Sequence, residues 1–384
     1  MARISDRLKV TLAAVLLTAA GAVLPGAAQD RSSGLRIVWE EGNGRKITEA
    51  GNYARIVRTA DGRLAAAFED LRGNVAVSFS GDGEKWSGNT VVFPRFEENG
   101  VAVNAANAEI CCLSDGTLVC GANYRPTAQG KVPYSIAVGV SRDGGQTWSE
   151  PRVIYSAGKV FGDGCWEPSF LELPDGTLQV YFANEGPYTS SEEQEISVLE
   201  SRDGGLSWTS RPIRVSFRKG FRDGMPVAQI FGDEIVVAIE DNSGGSFRPY
   251  TVRTSLKDGW KKAVAGKSPK RDYALDDEIR EGVYMGAPYI VRLPSGEAIL
   301  SYQTDEDSGG GWARSVMEVA VGDGTARHFR NRSRPFDVSE GRSGLWNSLT
   351  VLDENTVLAV CSADLDGRGT AVWVKKGHLV RGAE

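Results

Sequence analysis

Two glutamates in this 384-residue chain have the surroundings of reactive carboxyls. Glu167 stands in GDGCWEPSF, between an aromatic and a proline, and Glu240 ends the apolar stretch of VVAIEDN. A carboxyl at an apolar strand end has its pKa pushed up, while one that accepts hydrogen bonds stays ionised. Such a pair is the minimum apparatus for breaking a glycosidic bond. Other chemistries have less to work with. The only histidines are His328 and His378, and Cys111, Cys112, Cys120, Cys165 and Cys361 contain no C-x-x-C spacing. A histidine triad, a metal site and a cofactor are therefore not expected. GKS at 266–268 has Lys261 where a phosphate-binding loop needs its first glycine.

What must position these carboxyls is a repeated strand–turn–strand unit. It appears as YARIVRTADGRLAAAFE, NAEICCLSDGTLVCGAN, EPSFLELPDGTLQVYFAN, PVAQIFGDEIVVAIED, APYIVRLPSGEAILSYQ and NSLTVLDENTVLAVCSA. Its turn positions are Asp61, Asp115, Asp175, Asp233, Ser295 and Asp353, spaced by 54 to 62 residues. Period-two strands with Asp-Gly turns at this interval predict an all-β, six-bladed β-propeller of four-stranded blades, with almost no helix. The last unit is one strand short. LRIVWEE at 35–41 is a strand before the first full unit, and it is expected to close the ring and remove the open sheet edge.

In a propeller the polar strand ends converge on the mouth of the central channel. Counting eight residues back from the turns selects Tyr53, Asn107, Glu167, Met225 and Ala287, and Asn347, six back, is taken in the last unit. Counting seven or eight forward selects Glu69, Asn123, Ala183, Glu240 with Asp241, and Gln303, and Ala363, ten forward, is taken in the last unit. Polar and acidic groups converging on one funnel are what a sugar site needs. Trp166, Tyr284, Tyr289, Trp312 and Trp346 could stack on sugar faces, Trp312 following the SGGG stretch.

A second repetition is SRDGGQTWSE at 141–150 against SRDGGLSWTS at 201–210, with shortened copies SGDGEKW at 80–86 and LKDGW at 256–260. Ser141, Asp143, Gly145, Thr147 and Trp148 resemble the Asp-box, or bacterial neuraminidase repeat, as do Ser201, Asp203, Gly205, Ser207 and Trp208. The side chains fold a turn at the blade rim, so these boxes carry shape rather than chemistry. Blade arrangement, Asp-boxes, WEP around Glu167 and IED around Glu240 are similar to family 93 glycoside hydrolases, the exo-acting arabinanases. That resemblance implies a retaining exo-1,5-α-L-arabinanase, with Glu167 as acid/base and Glu240 as nucleophile. YARIV resembles a sialidase FRIP-type motif, which implies Arg55 as a carboxylate-binding arginine, with Arg248 and Arg314 as possible partners in a triad. A sialidase needs a tyrosine nucleophile before the last strand pair, and the chain reads WNSL there, with Trp346 in that place. Sialidase action, or hydrolysis of another acidic sugar, is one alternative reading. A non-catalytic propeller that binds glycan or protein is another.

The remaining expectations concern context. Arg3, Arg7 and Lys9 precede an apolar run that ends in small residues near Ala28, the pattern of a secretory signal over 1–28. One propeller domain over 29–384 then follows, in a secreted or periplasmic protein, monomeric and without a membrane partner. The formal net charge is −6 and there is no long Lys/Arg run, which argues against nucleic acid. A hairpin turning at SDGT would set Cys111 opposite Cys120 if Ser114 faced Thr117, allowing a disulfide.

Overall fold

The computed structural model describes residues 34–382, so the expected signal segment lies outside the described residues. Six antiparallel sheets follow one another along the chain. The first strand of each lies beside the first strand of the next, and Gly344–Val351 returns to Asn52–Arg58 to close the ring. This is the expected six-bladed propeller, and its only helical segments among the described residues are 3-10 turns. Leu35–Trp39 pairs antiparallel with Ala371–Arg381 as the outer strand of the sixth blade, so the chain's two ends tie the ring. The apolar faces of neighbouring blades form the cores. One such core joins Leu35 and Ile37 to Leu293, Val319 and Trp373.

The Asp-boxes sit between the third and outer strands, after Ser135–Ser141 and Glu195–Ser201. Asp143 accepts from the backbone N–H groups of Gln146 and Thr147 and from the Thr147 hydroxyl. These bonds favour the carboxylate and hold the Asp143 pKa down at about 2. Trp148 and Trp208 pack into inter-blade cores beside them.

The hairpin at SDGT corrects the cysteine pairing. Leu113 and Thr117 close the turn, with Gly116 at φ 87°, so three residues rather than two make the loop. Ile110 then faces Cys120, and Cys111 faces Val119. A one-residue change of register puts Cys111 and Cys120 on opposite faces of the sheet. All five cysteines are free thiols.

Candidate active site

Every innermost strand carries the same irregularity. The pairing register shifts after Asn52, Ala106, Trp166, Gly224, Gly286 and Leu345. The next residue in each case lies in the left-handed region: Tyr53, Asn107, Glu167, Met225, Ala287 and Trp346. Five of the six are positions the turn count selects. In the sixth blade the ring position is Trp346 rather than Asn347: Asp353 stands one place earlier in its turn than the other landmarks, so the bulge falls seven residues before it, not six. A bulge with positive φ is costly for a non-glycine residue, and repeating it in all six blades marks the ring as functional or structural by design.

The ring is held by bonds between blades. The side chain that ends one blade's second strand accepts the backbone N–H of the next blade's bulge residue. Ser362 accepts from Tyr53 at 3.0 Å, Glu69 from Asn107 at 2.7 Å, Glu240 from Ala287 at 2.8 Å and Gln303 from Trp346 at 2.9 Å. The pattern breaks on either side of Glu167. Asn123 turns its amide to the Cys165 carbonyl, and Ala183 has no group to offer. The Met225 N–H is met instead by the Glu167 carboxylate.

Glu167 therefore reaches the seam of the third and fourth blades and Glu240 that of the fourth and fifth, so the two carboxyls flank the inner edge of the fourth blade. Burial pushes Glu167 up to about 7, against the pull of the Arg125 charge. Burial, with the charge of Glu167 acting the same way, pushes Glu240 up to about 8. A negative charge nearby disfavours ionisation of a second carboxyl, so the Glu167 charge helps keep Glu240 protonated. Glycines frame Glu240 closely. A Cβ on Gly286 would lie 2.5 Å from Glu240 Oε2 and 2.1 Å from the Tyr284 hydroxyl, and one on Gly224 would lie 3.0 Å from Glu240 Oε1.

Residues that the spacing does not select complete the site. Arg125 donates to Asn107 and Asn123 and lies 5.0 Å over the Trp166 ring. Arg222 faces both glutamates and is anchored on the buried Glu185, which also accepts from Trp166 and Gln194. The one sequence signal for Glu185 is its place two residues beyond the Ala183 that the count lands on.

Other expected binding residues are placed elsewhere. Arg55 is 3% exposed and lies under the ring. It sits 4.2 Å from the Tyr53 ring, bonds to the Ala54 and Asn347 carbonyls and pairs with Glu109 at 3.9 Å. Tyr289 stacks on Arg55 from below and lines a separate 280 Å³ cavity at the other end of the channel. Asp241 is fully buried, between Arg271 at 2.7 Å and Arg218 at 2.8 Å, so its charge is spent. Arg248 sits on a third strand and donates to the Arg280 carbonyl, and Arg314 ends an exposed 3-10 turn. Arg55, Arg248 and Arg314 thus occupy three different environments. Glu69, Asn107 and Gln303 are on the ring but engaged in the bonds just given, and Trp166 is a buried wall behind Glu167. Tyr53 and Trp346 face each other at 5.8 Å.

A family model described as a BNR repeat-like domain matches residues 36–219. Among characterised proteins the chain is similar to a sialidase of Micromonospora viridifaciens, 28% identical over 240 residues, which is 56% of this chain and 36% of that protein. The chain thus spans about a third of the length of that relative. Among solved structures, a protein of unknown function from Dyadobacter fermentans superimposes with a TM-score of 0.67 at 16% identity, covering 91% of this chain and 100% of that one. The family 93 α-L-arabinofuranosidase of Fusarium graminearum, solved with arabinobiose, gives 0.63 at 18% identity, covering 88% and 98%. Trypanosoma rangeli sialidase gives 0.59 at 13% identity, covering 89% and 59%.

Proposed function

We propose that this chain, a propeller of the sialidase-like superfamily carrying a BNR repeat-like domain, is a glycoside hydrolase that works through Glu167 and Glu240 as a retaining exo-1,5-α-L-arabinanase. The observation that carries the reading is the pair itself. Two glutamates from adjacent blades flank the inner edge of the fourth blade, both with raised pKa values, and the charge of Glu167 adds to the rise of Glu240. The likeness to an arabinofuranosidase structure solved with arabinobiose adds the sugar class.

In the reactive form, the less populated one because Glu240 is the more basic carboxyl, the protonated Glu167 gives its proton to the leaving oxygen while the Glu240 carboxylate attacks the anomeric carbon. A glycosyl ester forms as the glycosidic bond breaks. Water then attacks the same carbon, Glu167 takes the water's proton, and Glu240 leaves as carboxylate. The Ala287 N–H supports the charge on Glu240, and Arg222 favours the ionised form of either glutamate. Trp166 and Glu185 fix the wall from which Glu167 projects.

The funnel argues for a neutral sugar. Glu69, Glu167, Glu185 and Glu240 outnumber Arg125 and Arg222 around it. The three arginines of the sialidase reading do not converge, and Trp346 offers no phenol at the mouth. Export to the periplasm or the medium accords with a polymeric substrate.

The test is a screen of the purified protein on arabinan, arabino-oligosaccharides and sialyl-lactose, with product configuration followed by NMR. Arabinose released with retained configuration is expected, with a bell-shaped kcat/KM profile centred between about pH 7 and 8. Glu167→Gln and Glu240→Gln should fold normally and lose most activity. Near-wild-type rates in both variants would remove the reading.

A further inference from the structure

A cavity of about 290 Å³ opens at the seam of the sixth and first blades. In a six-bladed ring this seam faces that of the third and fourth blades, where Glu167 meets Met225, across the funnel. Its lining includes Trp346, Asn52, Ser343, Ser362, Asp364 and Thr370. We propose that it is a second sugar subsite, which holds a neutral residue of the glycan remote from the bond being broken. The inference rests on the glycosidase reading for the identity of the sugar, but on this cavity for its existence.

Three observations carry it. The first is an aromatic wall. Trp346 lies between Tyr53, with ring centroids 5.8 Å apart, and Trp312, 6.0 Å apart. Tyr53 backs the indole from inside, while Trp312 is 54% exposed, the most open of the tryptophans beside the funnel. The Trp312 indole, packed against Trp346 on one side and open on the other, suits the C–H face of a sugar at the rim of the cavity. The left-handed backbone at Trp346 aims it there at a conformational cost that the neighbouring bond from Gln303 helps hold.

The second is unspent hydrogen bonding. Among the described residues, the side chains of Asn52, Ser343 and Thr370 make no protein hydrogen bond, and Ser362 accepts from Tyr53 with its own proton still free to donate. Polar groups converging on a cavity without internal partners are positioned for the hydroxyls of a ligand. The third is charge. Arg342 pairs with Asp364, and the Asp364 carboxylate also accepts from the Gly367 N–H, so the cavity's ions cancel and are fixed. A neutral sugar fits this lining better than an anionic one.

The apolar bulge residues link the two seams. Met225, Ala287, Trp346 and Tyr53 belong to consecutive blades and form one cluster, running from beside Glu240 to the cavity. A glycan of three or more residues could follow that arc, whereas a disaccharide at the glutamates would fall short of it. The device therefore selects for chain length.

The experiment uses the full chain and two readouts. Binding of arabinotetraose and arabinobiose is measured by calorimetry on Glu240→Gln protein, alone and combined with Trp312→Ala or Asn52→Ala. Hydrolysis of both sugars is measured with the single variants Trp312→Ala and Asn52→Ala. Trp312 is exposed, and the half-buried Asn52 side chain bonds to no other protein group, so these variants should fold. Tetraose should bind at least 10-fold more tightly than biose, and each variant should cut that preference about 10-fold, the loss of one good stacking or bonding contact. The tetraose-to-biose ratio of kcat/KM should fall in parallel. A preference unmoved by either variant, or no preference at all, overturns the subsite even if hydrolysis is robust. Variant-sensitive tetraose binding without hydrolysis would uphold the subsite and overturn the glycosidase reading.

Discussion

Gly286→Ala isolates the position of Glu240 from its chemistry. The added Cβ would lie 2.5 Å from Glu240 Oε2 and 2.1 Å from the Tyr284 hydroxyl. To regain even 3.0 Å, a separation real Cβ atoms essentially never fall below, the two oxygens must retreat by about 0.5 Å and about 0.9 Å. Both are ends of side chains, and Gly286 does not occupy the left-handed region, so an alanine backbone fits and the blade should survive. What gives way is the 2.8 Å bond from the Ala287 N–H and the aim of the carboxylate. A 1 Å displacement at a reacting group costs on the order of 100-fold in rate, so a retreat of about 0.5 Å by Glu240 should cost roughly 10-fold. The assay is kcat/KM on an aryl α-L-arabinofuranoside, with thermal melting beside it and Gly81→Ala as control. A Cβ on Gly81 meets nothing within 4 Å, so that variant should be silent. Full activity in Gly286→Ala would refute the placement of Glu240 at the reacting centre. A large loss of melting temperature would mean that the glycine serves packing instead.

The raised pKa of Glu240 also makes a stability prediction. The folded carboxyl holds its proton to about pH 8, while an unfolded one loses it near 4.3. Its contribution to stability is full below the unfolded value and is lost as pH rises through the folded one. Glu240→Gln should thus melt like wild type near pH 5 and roughly 1–3 °C higher near pH 9, read by calorimetry; a lower melting point at pH 9 would contradict it. Trp148→Ala should cost ~3 kcal/mol in denaturant titration while leaving kcat/KM unchanged in the folded protein, because the side chain fills an inter-blade core far from the funnel glutamates in the fold. Reductant should not move the melting temperature, since Cys111 and Cys120 face opposite sides of their sheet; a reductant-sensitive melt would show a bond that this register forbids.

The architecture was legible in the chain because it is local. Asp-Gly turns, alternating strands and the SxDxGxTW boxes each act within about a dozen residues, and their repetition counts the blades. The strand at 35–41 was legible as the missing partner of an incomplete last unit, and it pairs there. Glu167 and Glu240 were legible as carboxyls at matching depths of adjacent units, because the bulge recurs at a fixed distance from the turn. What the tertiary structure decided is which charges are spent. Asp241 follows Glu240 directly in sequence, yet the pleat sends it to the other face, where Arg271 and Arg218 neutralise it. Arg55 looks like an anion ligand, yet it falls two places past its bulge and is buried against Glu109. Arg222 reaches Glu185 from 37 residues away, and Arg125 reaches Asn107 from 18. A charged side chain is defined by its partner, and in a propeller that partner comes from a neighbouring strand or blade, at a separation that no local pattern records.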